Sequence, residues 1–423
     1  MNKIFKKEIF RSITYIFSGT VIGSMIGAIN TILVVQNLGL ERNGIIFLGL
    51  SYVSFFNALF NFQSYEAIIK YLPGNMEKNN EKGKNYILLG YYFDVITAIL
   101  AFLVSFFCVK YAGKYLKWSQ EIYTSVKISC FTILFTLTGT CIGVLRIFKE
   151  FKTIAIINIL KNVILFFFYL YGFYFKKEIY YYIVVNLIAV ILQTSYMYLK
   201  TYKILYKKQL LPTKLKASYD KEFVTFAIFS NFNTVLDLPI FHLTTFIINK
   251  YVGVSEIAVY KILENLGSVL KRITGIISQV IMPEISIAIA EKKEKEMYKL
   301  VYRSGILFLA LGVVSFVFVV FTKQYWLGYF IPNYLEYVKV IYLYLGYVIL
   351  TTVFIFQHPI FIYSGYVKWN SIILIIANCI YVILVLNLVK SLGIVGIVNS
   401  LIIQAIIVFS LKGIILHKFK GEK

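Results

Sequence analysis

The chain has 423 residues, of which 59% are hydrophobic, 18% aromatic and only 15% charged, with a mean hydropathy of +0.75. A soluble domain carries roughly a quarter of its residues as charge, so a water-soluble globular enzyme is excluded and the main solvent of this chain is lipid. Lys and Arg number 43 against 20 Asp and Glu, a formal charge of +23, which has to be tested against membrane topology before nucleic acid is considered.

A helix needs about 20 mostly apolar residues to cross a bilayer core of roughly 30 Å. Twelve such runs are predicted, at 12–38, 43–69, 85–109, 121–147, 153–175, 179–204, 222–249, 256–289, 298–321, 336–363, 367–389 and 393–416. None alternates with period two, which argues against a β-barrel. Lys3, Lys6 and Lys7 followed by an apolar run have the look of a secretory leader. That run is too long for a leader's apolar region and lacks a small-residue cleavage site, so it is read as the first span. Cys108, Cys130, Cys141 and Cys379 all sit inside apolar runs without ligand spacing and read as small core residues.

Lys and Arg fall on the loops after even-numbered spans and on the two tails in a ratio of roughly three to one over the opposite loops, a positive-inside pattern. Both termini are therefore expected in the cytoplasm, and the basic charge requires no nucleic acid. The long inner stretches run from Lys70 to Lys84 and from Lys200 to Lys221; the long outer ones run from Lys110 to Gln120 and from Thr322 to Leu335. No extramembrane domain is predicted. The fold class expected is an all-α polytopic membrane protein of twelve transmembrane helices in two six-helix lobes. The first lobe is 1–204, the basic cytoplasmic linker 205–221, and the second lobe 222–423. Leu38-Gly39-Leu40-Glu41-Arg42-Asn43-Gly44 aligns with Val252-Gly253-Val254-Ser255-Glu256-Ile257-Ala258. Each puts a Gly at the end of one span and a small residue at the start of the next, as a tight helix–helix turn requires. With equal span counts this supports two parallel halves.

Ionisable residues at membrane depth face a cavity or a partner. In the eighth span Lys261, Glu264, Asn265, Ser268, Lys271, Arg272, Gly275 and Gln279 share one helical face, a stripe about 27 Å long at 1.5 Å per residue. One reading is a buried network in which Glu264 neutralises Lys261 and Lys271. It leaves Arg272 and at least one Lys without a partner in this helix. The other reading is a water-filled path that receives an anion. In the seventh span Ser230, Asn233, Thr234, Asp237 and Thr244 share a face and Pro239 follows, so a kink with freed carbonyls is predicted there. Asp237 either binds a coupling ion or neutralises a cation of the eighth span. His242 lies on a different face. His358-Pro359 predicts a similar kink in the tenth span. Thr20, Gly23, Ser24, Gly27 and Thr31 on the first span predict close helix packing. Lys127, Lys161 and Asp94 are read as able to snorkel to an interface, with the two lysines adding to a cationic excess inside the bundle.

The chain resembles the Wzx-type polysaccharide repeat-unit flippases of the multidrug/oligosaccharidyl-lipid/polysaccharide exporter superfamily. The residues that carry the likeness are Leu38-Gly39 to Gly44, Gly143-Val144-Leu145-Arg146 with Phe151-Lys152 and Ile156-Ile157-Asn158, the Met282-Pro283-Glu284-Ile285-Ser286 turn, and Leu392-Gly393-Ile394-Val395-Gly396. The resemblance implies two six-helix lobes around a central cavity and inward-open and outward-open states. It also implies, as cargo, an undecaprenyl-diphosphate-linked oligosaccharide moved across the bacterial cytoplasmic membrane for a capsule, an O-antigen or another surface polysaccharide. On this reading Lys261, Lys271 and Arg272, with Lys127 and Lys161, contact the diphosphate or acidic sugars. Asp237 with Glu264 couples the cycle to a proton or cation, with no other cofactor, and the expected partners are membrane lipid, glycosyltransferases and a polysaccharide polymerase. The rivals are a lipid II flippase, a drug or cation exporter of the same superfamily, and a membrane glycosyltransferase or polymerase. The last would need catalytic carboxylates on a sizeable outer loop.

Overall fold

The computed structural model describes residues 3–418 apart from 61, 63, 78, 79, 137, 213–215, 237 and 292. Its described residues form helices joined by short turns. Eight helical segments are long and apolar enough to cross a bilayer, and the bent pair Gln120–Phe135 and Gly139–Ile147 makes a ninth. One of the eight, Gly19–Phe60, contains two predicted spans, because α1 (Lys3–Phe60) is interrupted at Gly39, whose φ of 79° and ψ of 175° are not helical. The two spans outside that set are the seventh and eighth, the two with polar stripes. The twelve predicted spans are thereby placed.

By packing, the chain divides into residues 1–238 and 239–423. The division falls inside span seven rather than in the predicted linker, and the packing gives the reason. In the first unit α2 (Ser64–Tyr71), α3 (Glu81–Leu116), α5 (Gly139–Ile147), α7 (Ile179–Lys207) and α8 (Lys221–Leu236) share a core that includes Ile68, Leu72, Ile87, Val144, Leu205, Phe223 and Ala227. Asn231 of α8 also donates to the Leu59 carbonyl at 3.1 Å, satisfying a backbone acceptor left over at the end of α1. The small-residue face of span one packs as expected on α6 (Phe151–Tyr174). A Cβ on Gly19 would lie 2.7 Å from Ala155 Cβ, and Gly23 faces the Asn158 carbonyl. Between α4 (Gln120–Cys130) and α5 span four passes through a 3-10 turn at Phe131–Phe135. The Thr194 hydroxyl of α7 takes up the Phe135 carbonyl at 2.7 Å.

The second unit starts with a π-helical turn, Pro239–Leu243, and continues as α9 (Thr244–Tyr251), α10 (Val254–Ala290), α11 (Glu294–Phe330), α12 (Val338–Val353), α13 (Gln357–Tyr363), α14 (Val367–Leu392) and α15 (Ile394–Lys418). The π turn begins at the proline that predicted the kink, and the Thr244 hydroxyl donates to the Ile240 carbonyl at 2.9 Å. Span ten breaks between α12 and α13, just ahead of Pro359, which supplies no amide to Ile355 and whose ring crowds that carbonyl. The Met282–Ser286 stretch, expected as a turn, is helix: α10 runs unbroken to Ala290. On α3 and α11 the large apolar side chains Ile96, Leu103, Phe107, Val314, Phe318 and Phe321 stand exposed, the surface that lipid covers.

The internal repeat is visible in the backbone. Positive φ at Gly39, Lys117, Lys149 and Lys176 in the first unit recurs at Gly253, Asn333, Gly365 and Gly393 in the second, in the same order and at a near-constant offset; Gln209 also has positive φ and has no counterpart among the described residues of the second unit. Each lies at or near the end of a span, and Lys117 closes α3 in the left-handed conformation.

Candidate functional site

In the second unit the densest charge inside the spans lies on α10. Lys261 Nζ lies 2.6 Å from Glu264 Oε2, with side chains only 14% and 26% exposed. One turn spaces the pair, so both project from one face. Glu264 is also within electrostatic reach of Lys271 and Tyr260 on its own helix and of Tyr344 and Tyr347 from α12 and Tyr381 from α14. Lys271 does not close an ion pair among the described residues; its Nζ stands 5.0 Å from the Tyr347 ring centre. Tyr381 and Thr244 share a hydroxyl–hydroxyl hydrogen bond of 2.5 Å. Arg272, half-buried, has no hydrogen-bond, ion-pair or ring partner among the described residues. The carboxylate of this stripe is thus taken by Lys261, and among the described residues no carboxylate closes an ion pair with the two cations further along the helix.

Lys127 and Lys161 belong to the first unit and are not gathered with the α10 charges. Lys127 lies 4.9 Å from the Phe106 ring centre and 5.8 Å from that of Tyr123, a cation–π seat on α4. Lys161, on α6 between Asn158 and Asn162, is half-buried and has no partner among the described residues. Asp94 does not snorkel. It is 3% exposed, receives the Ser64 hydroxyl, and accepts the Thr140 amide at 2.8 Å. Asp237 lies outside the described residues, as do the side chains of Asn233, Thr234 and Gln279.

A polar cluster absent from the predicted site joins α13 to α15 in the second unit. Lys412, 3% exposed, places Nζ 3.1 Å from His358 Nδ1, and Gln357 Nε2 donates to the Phe409 carbonyl at 2.7 Å. Its depth is legible in the sequence, since Lys412 falls four residues inside the predicted run 393–416. Among the described residues no group of three or more His, Cys, Asp or Glu side chains is placed to hold a metal ion.

Three solved structures set this architecture in context. An inward-facing multidrug resistance MATE family transporter of the MOP superfamily superposes with a TM-score of 0.73 at 13% identity, over 94% of this chain and 95% of its own. An outward-facing MATE family transporter gives 0.66 at 12% identity, over 97% of each chain. A MOP superfamily transporter from Pyrococcus furiosus, described as having a binding pocket of reverse polarity that suggests a different function, gives 0.68 at 12% identity over 98% and 97%. The fold is therefore that of the MOP-superfamily membrane transporters. No curated protein sequence matches the chain. The family model described as "Polysaccharide biosynthesis protein" matches residues 9–288, and the chain belongs to that family.

Proposed function

We propose that the protein is a flippase for a lipid-linked oligosaccharide, carrying an undecaprenyl-diphosphate-linked repeat unit across the bacterial cytoplasmic membrane with both termini on the cytoplasmic side. The observation that carries this reading is the cationic surplus on α10. Glu264 is engaged by Lys261, while Lys271 and Arg272 have no described carboxylate partner at a depth where an uncompensated charge is costly. A diphosphate supplies the missing negative charge, and guanidinium and ammonium groups replace the water that the diphosphate loses. The oligosaccharide head crosses beside these groups while the polyprenyl tail stays in the lipid. A cation exporter would need the opposite sign of surplus. Lys161, without a partner in the first unit, is a second contact for phosphate or acidic sugar on this reading.

The test is export of the native glycan in cells whose own copy is replaced by Lys271→Gln, Arg272→Gln or the double variant. With equal protein in the membrane, surface glycan should fall and the lipid-linked unit should accumulate unflipped. Normal export by the double variant would overturn the reading. A defect confined to peptidoglycan synthesis would move the cargo to lipid II.

A further inference from the structure

Two interrupted spans of the first unit meet at Asp94. Span two resumes as α2 at Ser64, and span four resumes as α5 at Gly139. One carboxylate oxygen of Asp94 accepts the Ser64 hydroxyl and the other accepts the Thr140 amide at 2.8 Å. Both donors belong to first turns, where amides lack intrahelical partners and the helix dipole is positive. The Thr140 hydroxyl is fully buried beside the same carboxylate. Gly139 makes the approach feasible: a Cβ there would overlap Ser64 Oγ and stand 2.9 Å from Asp94 Oδ1.

The second unit holds the corresponding junction differently. At the offset that relates Gly39 to Gly253, Asp94 corresponds to Phe308. That ring is fully buried and stacks on Phe356, at the break of span ten, with centres 5.8 Å apart and planes 18° apart. An apolar stack has no charge to lose. At these matched positions the first unit places a carboxylate and the second an apolar stack.

We propose that Asp94 is a proton-operated clamp. As a carboxylate it fastens the first turns of α2 and α5 to α3; gain of one proton from water, forming O–H on the oxygen that held the Thr140 amide, releases them. The titratable groups around it are Tyr91 on its own helix, Cys141 on α5 and Tyr198 on α7. On α2 the nearest are Tyr65 and Glu66, bonded to each other at 2.9 Å. Among the described residues no Lys or Arg pairs with Asp94, so its charge state is not set by a fixed counter-ion. The clamp rests on the transporter fold and not on the identity of the cargo.

Hydrogen exchange of the full-length protein in lipid nanodiscs, corrected for the intrinsic pH dependence of amide exchange, tests it without any glycan. Residues 64–71 and 139–147 should lose protection together, in one step, as pH falls. Asp94→Asn should abolish the step and leave both segments fast at every pH. Ser64→Ala, a milder change that guards against misfolding of the first variant, should keep the step and move it up by about one to two pH units. A flat profile in the unaltered protein would overturn the clamp, as would an unchanged step in Asp94→Asn or in Ser64→Ala. Either result would leave the cargo assignment untouched, because that depends on α10.

Discussion

Asp94 and Glu264 are intramembrane carboxylates in different company. Glu264 meets a Lys nitrogen, whereas Asp94 meets a hydroxyl and a backbone amide. Removing one partner of a buried ion pair leaves an uncompensated charge, at a cost of about 3–5 kcal/mol. Glu264→Gln should therefore lower the thermal midpoint in detergent sharply, and adding Lys261→Met should restore most of the loss. Additive losses in the double variant would contradict the pairing. Gly139→Ala should destabilise by about 1–3 kcal/mol through overpacking against Ser64 and Asp94, read as a lowered midpoint; an unchanged midpoint would deny the close approach. The sequence shows which positions are ionisable and how deep they lie, so the α10 stripe is legible from spacing alone. It does not show partners. Asp94 lies about 14 Å into its run at 1.5 Å per residue, and what distinguishes it from a snorkelling residue is the arrival of Ser64 and Thr140 from other spans.

Helix periodicity and hydropathy locate the spans well, and Pro239 and Pro359 mark two of the interruptions, because a missing amide is a local property of the chain. The interruptions at the ends of α1 and α4 have no proline. Span four leaves α-helix through a 3-10 turn whose end is tied by side chains, Thr136 to the Ile133 carbonyl at 2.7 Å and Thr194 to the Phe135 carbonyl. Such breaks depend on tertiary contacts and cannot be read from the local sequence. The Met282–Ser286 stretch shows the converse: it reads as a turn by likeness, yet the helix continues through it. Gly39 sits at φ 79° and ψ 175°, a region that side chains with a Cβ rarely occupy. Gly39→Ala should cost about 1–3 kcal/mol and reduce the folded, detergent-extractable yield. A yield equal to that of the unaltered protein would mean that this turn tolerates another backbone conformation.

Across the two units the order of positive-φ residues repeats, as the alignment around Gly39 and Gly253 anticipates. What does not repeat is the chemistry. The first unit carries Asp94 at its broken spans; the second carries the charged α10 stripe and an aromatic stack at the matching junction. The two proposals rest on this inequality, the clamp on the first unit's Asp94 and the anion path on the second unit's α10. The bias of Lys and Arg between alternate loops predicts that Lys117 and Lys176 lie outside and Lys149 and Lys293 inside. Single cysteines at these positions, in a chain freed of its own four, check this with a membrane-impermeant maleimide on intact cells. Lys117→Cys and Lys176→Cys should label, and Lys149→Cys and Lys293→Cys only after permeabilisation. The reverse pattern would invert the topology.

The central claim is that unneutralised positive charge on α10 carries a phosphorylated head group. The most direct measurement is flipping in reconstituted vesicles of a labelled polyprenyl-diphosphate oligosaccharide, compared with the same oligosaccharide on an uncharged polyprenyl linkage. The unaltered protein should move the diphosphate form preferentially. Lys271→Gln combined with Arg272→Gln should slow it by roughly tenfold or more, the loss of a charge-assisted contact, and leave the uncharged form unaffected. Equal rates for the two lipids, or an unchanged rate in the double variant, would contradict it.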